Sequence, residues 1–133
     1  MTNHEHNRQQ PCARRCLLAV VCWAALFGSA SGDVSGVQRE EVAYLLESIR
    51  TTACAFERNG TKHTGEDAYA HVRKKYDYFR DRIDSTENFI EYSATKSVLS
   101  GEYYMTICAE KVPVQTQDWL LRELDAYRKR SSN

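Results

Sequence analysis

The stretch TTACAFERNGTKHTG (Thr51–Gly65) holds a cysteine, a short β-prone run, an Asn-Gly pair and a histidine. ACAFER reads as a short strand. Asn59-Gly60 ends it, because that pair supplies the positive φ angles of a tight turn. Arg58-Asn59-Gly60 is therefore first of all a bend. Thr64 then opens a helix, with Glu66 and Asp67 in its favourable first turn. Whether Cys54 reacts or staples depends on the compartment, which the N-terminus addresses.

The opening residues read as a secretory leader. Arg8, Arg14 and Arg15 form a positive n-region, and Leu17–Phe27 is an uninterrupted apolar run. Small residues follow from Gly28 to Gly32, and Gly28 with Ala30 fits the small-x-small rule, so residues 1–30 are expected to be a cleaved signal peptide. The run is shorter than the about 20 residues a spanning helix needs, so no stable membrane span is expected after cleavage. Residues 31–133 would then form one small domain with a modest core. Of 18 Lys+Arg, three lie in the leader; of 18 Asp+Glu, only Glu5 does, leaving a mildly acidic remainder. That balance speaks against nucleic acid and against anionic lipid, both of which want clustered basic charge.

Cys12, Cys16 and Cys22 leave with the leader. Cys54 and Cys108 remain, and two cysteines in an oxidising compartment most often pair. A buried pair of free thiols and a catalytic nucleophile are the rival readings; there is no Cys-x-x-Cys motif. Strand alternation opposes the bridge: Cys54 shares a face with Phe56, whereas Cys108 lies opposite Met105 and Ile107. The faces agree only through a bulge or with a cysteine at a strand end.

Elsewhere, Val42, Leu45, Leu46 and Ile49 mark a helix from Ser35 to about Arg50, with Ser35 and Gln38 as a capping box. Ala68, Val72, Tyr76, Phe79 and Ile83 form the stripe of the basic helix after Thr64. Asp84 or Ser85 caps a shorter helix with Phe89 and Ile90, running into SATKSVLSG, where Gly101 looks like a terminator. EYYMTICAE is a second strand, and Thr116 opens a last helix with Trp119, Leu120, Leu124 and Tyr127. The expected order is α-β-α-α-β-α: a small α+β domain with a minimal antiparallel sheet packed by helices.

The blocks CAFERNG, AHVRKKY, RIDSTENFI and KSVLSGEYYMTIC resemble, in this order, the YfeK-like family of short secreted bacterial proteins, a domain of unknown function. The resemblance covers roughly Glu41 to Tyr127. Phe56, Arg58, Asn59, Gly60, His71, Arg73, Lys75 and Tyr76 match its pattern, as do Thr86, Phe89, Ile90, Lys96, Ser97, Ser100, Gly101, Tyr104 and Cys108. Val98 and Glu87 depart from it, each replacing a small residue. The resemblance implies a periplasmic single domain and brings no activity with it.

Arg58, Asn59, His71, Lys75, Lys96, Ser97 and Ser100 are the candidate ligand-binding set. His71 and Lys75 share a helix face at i, i+4; together the group offers a cationic, hydroxyl-lined notch for a carboxylate, phosphate or glycan. In the plainer alternative Arg58 and Asn59 bond loop backbone and His71 pairs with Asp67. A hydrolase or transferase using Ser97 or Ser100 with His71 or Lys96 is the enzymatic alternative, but no Gly-x-Ser-x-Gly elbow is present and no catalytic residue is assigned. His63 and His71 lack metal-ligand spacing, so no metal and no cofactor is expected. Glu87 and Glu91 read as a solvated face. Eight tyrosines in so small a chain hint at a partner surface. The expectation is a non-enzymatic binding or interaction module of the envelope, whose partner is an envelope protein or cell-wall component.

Overall fold

The computed structural model describes residues 32–133; the leader with its three cysteines lies outside them. The Asn-Gly bend is the structural pivot. Asn59 and Gly60 both have positive φ, 51° and 73°, and they fold the strand β1 (Ala55–Arg58) back against β2 (Thr61–His63) as a hairpin. On its other side β1 pairs with β3 (Met105–Ile107), which pairs with β4 (Val114–Gln115). The result is an antiparallel sheet in the order β2-β1-β3-β4.

Four helices cover it: α1 (Val37–Thr51), α2 (Gly65–Phe79), α3 (Thr86–Ala94) and α4 (Thr116–Ser131). Their stripes bury Val42, Leu45, Leu46 and Ile49 from α1, Val72 and Tyr76 from α2, Phe89 and Ile90 from α3, and Leu120 and Leu124 from α4. Phe56 joins this core from the sheet and meets Trp119 edge-on. The α+β class is thus as expected, with two edge strands, β2 and β4, added to the expected order.

Local details differ. The α1 capping box does not form: the helix starts at Val37 behind Gly36, whose φ of 55° turns the chain in, and no side chain caps it. Helix α2 stops at Phe79, and a 3-10 turn over Arg80–Arg82 delivers Ile83 to the core instead. Gly101 (φ 74°) does not end α3, which finishes at Ala94 with the Thr95 hydroxyl donating to the Ile90 carbonyl. It closes a tight loop, donating to the Ser97 carbonyl at 3.0 Å. The Thr64 and Ser85 caps form as expected, accepting from the Asp67 and Asn88 amides.

Cys54 and Cys108 are disulfide-bonded. No bulge is needed, because the inward face is carried by Thr106 of β3 and by Tyr104 just before it, both buried, rather than by Met105 and Ile107. With Ala55 opposite Ile107, one further step brings the two cysteines face to face just beyond the strand ends, their Cα atoms 4.3 Å apart.

Candidate functional site

The same register, followed the other way along β1 and β3, brings Arg58 across from Tyr104. Alternation fixes the rest. Arg58 lies on the Phe56 face of β1, turned toward α2, while Glu57 belongs to the opposite face beside its cross-strand neighbour Lys62. Helix α2 presents His71 and, one turn later, Lys75 to this spot. His71 Nε2 and the Tyr104 hydroxyl share a hydrogen bond of 3.1 Å, with the rings edge to face. The Lys75 ammonium is 5.1 Å from the Tyr104 ring centroid and donates to the Lys96 carbonyl at 2.7 Å. Lys75 is only 9% exposed.

The electrostatics are those of crowded cations. Burial, then the positive charges of Arg58 and Lys75, push His71 down to about 4, so its imidazole is neutral at physiological pH. Burial, with Arg58 adding to it, pushes Lys75 down to about 8, against the attraction of Glu91. Burial pushes the Tyr104 hydroxyl up, so it keeps its proton. Among the described residues neither Arg58 nor Lys75 forms an ion pair with a carboxylate. Glu91 is instead the acceptor for Gln117. Leaving a desolvated ammonium against a carbonyl and a ring face is costly.

The candidate residues therefore separate into two groups. Arg58, His71 and Lys75 meet around Tyr104, which residue-by-residue reading had not singled out as a site. Taking Thr106 rather than Met105 as the inward residue of β3 would have found it. Asn59, Ser97 and Ser100 form a tether: the Ser100 hydroxyl donates to Asn59 Oδ1 at 2.8 Å, and Ser97 Oγ accepts from the Ser100 amide. This pins the Ser97–Gly101 loop on the hairpin tip. Lys96 contributes its backbone carbonyl, while its side chain is exposed. His71 does not pair with Asp67, whose carboxylate instead accepts from the Thr64 hydroxyl. The described hydrogen bonds link neither serine to His71. Among the described residues, no three His, Cys, Asp or Glu side chains cluster as metal ligands. Glu87 is ion-paired to Arg128, which also grips the buried Glu41.

A profile of a family of unknown function (DUF5329) matches residues 37–128, a span that runs from the start of α1 through the sheet and well into α4. The chain belongs to this family. It is also 37% identical over 89 residues to the uncharacterized protein YfeK of Salmonella typhimurium, covering 66% of this chain and 68% of the relative. The YfeK-like resemblance of the four sequence blocks is thereby met. No solved structure matches the chain.

Proposed function

We propose that this YfeK-like protein is a non-enzymatic binding module of the periplasm, whose notch around Tyr104 captures an anionic group on an envelope protein or cell-wall component. The observation that carries the reading is Lys75. A buried ammonium that has no carboxylate partner among the described residues, beside Arg58, is an arrangement that an incoming anion would stabilise. The neutral His71 adds a polar group without a third full positive charge. The periplasmic part is supported by the leader-like residues 1–30 and by the Cys54–Cys108 bridge, which favours an oxidising compartment. No helix of the described residues is long and apolar enough to cross a membrane.

Acetate and inorganic phosphate, titrated into labelled protein, should shift the amide and ring signals of Arg58, His71 and Tyr104. Lys75→Met should weaken that binding about tenfold while leaving the melting temperature equal or raised, because it removes a poorly compensated buried charge. Loss of stability with unchanged anion affinity would mark Lys75 as structural and defeat the proposal. Cell fractionation tests the location: a reduced, full-length chain in the cytosol would contradict it.

A further inference from the structure

A small cleft opens directly beneath the cationic rim. Its volume is about 30 Å³; Ile49, Phe56, Ala68 and Val72 line it below Arg58, His71 and Tyr104, and Glu57, His63 and Thr116 complete its wall. Ile49, Phe56 and Val72 are core residues, whereas Arg58 and His71 are half-exposed, so the cleft runs from a charged mouth to an apolar floor. A single water occupies about 10–15 Å³ on this measure. The space therefore suits two or three carbon atoms and no more.

An inorganic anion would leave that floor filled with poorly bonded water. A phosphate ester would interpose an ester oxygen between the charge and any apolar tail. A carboxylate is planar, matches the guanidinium fork of Arg58 edge to edge, and carries its first tail carbon one bond from the charge. That is the distance at which the floor begins.

We propose that the cleft between β1 and α2 receives a carboxylate bearing a short aliphatic tail, its oxygens on Arg58 at the rim and its tail against Phe56, Ala68 and Val72. The inference rests on the anion-binding reading and adds the ligand's chemical class. Two sources share this chemistry: a free short-chain acid, and the C-terminal residue of a peptide ending in a small aliphatic side chain.

The test is a chain-length series on the oxidised, exported protein: acetate, propionate, butyrate and hexanoate, then N-acetylalanine and N-acetylvaline with their amides. Each methylene from acetate to butyrate should tighten binding about three- to fourfold. Hexanoate should fall back, and the amides should not bind. Ala68→Leu fills the cleft and should flatten the series while acetate still binds; if that variant does not fold, the series on the unmodified protein decides alone. Tighter binding of the acetylated amino acids than of acids with equal tails supports the peptide source, and the reverse order supports the free acid. Equal affinities from acetate to hexanoate would overturn the aliphatic tail yet leave anion capture standing. No response to any acid, acetate included, would overturn both.

Discussion

His71 shows how one side chain reports on its surroundings. Its own burial against the Tyr104 hydroxyl, then the positive charges of Arg58 and Lys75, oppose a charge on the ring. The fold therefore holds the neutral imidazole, with a pKa of about 4 against an ordinary 6.5. Between those values the unfolded chain binds more protons than the folded one. Stability from this residue is thus complete above about pH 6.5, declines as the pH falls, and levels off below about 4. Half-exposure limits the effect to about 1–2 kcal/mol. Ring signals followed by NMR should place the titration near 4, and Arg58→Ala should move it upward by removing a nearby positive charge. A His71 midpoint at its ordinary value in the unmodified protein would show that the cation cluster does not form.

At the scale of elements, the junction of α1 and α2 is the tightest constraint. A Cβ on Gly65 would lie 2.5 Å from the Ile49 carbonyl oxygen and 2.9 Å from that of Arg50, both backbone atoms of the last turns of α1. Gly65→Ala should force the two helices apart and cost about 2–3 kcal/mol in urea unfolding. Gly60→Ala is the comparison: it meets open space at a φ of 73° and should cost only about 1 kcal/mol. Equal losses would mean that the helix junction is looser than described. The same elements show what sequence makes legible. Helices α1, α2 and α4 announce themselves through stripes of Leu, Ile, Val and aromatics at helical spacing, and the Asn-Gly turn through its backbone requirement. The edge strand Thr61–His63 offered no such signal, because its first two residues are exposed and three residues cannot display alternation. The two-residue β4 is fixed only by pairing with β3. Of the candidate site, Arg58 was legible as a cation at a strand end, and His71 and Lys75 as basic residues sharing one face of α2. Tyr104 was hidden because the buried residue of β3 is the polar Thr106, flanked by Met105 and Ile107, which inverts the usual apolar-inside reading of a strand.

The whole molecule is held by a covalent tie at one end of the central β1–β3 pair and presents its cations at the other. Cys54 and Cys108 lie beyond the end of the pair opposite to Arg58 and Tyr104. With a sequence separation of 54, the bridge should contribute about 4 kcal/mol in the chain-entropy model. Domains of this size are stable by only about 5–15 kcal/mol, so the tie is a large part of the margin. Replacing both cysteines by alanine should lower the melting temperature by about 15–30 °C. Near 10 °C, where the variant remains folded, its affinity for acetate should stay within about twofold of the parent, since the β1–β2 hairpin, α2 and the tethered loop position the rim at the far end of β1 from the bridge. A folded variant that no longer bound acetate would instead make the disulfide part of the site's own framework, reaching along the full length of β1.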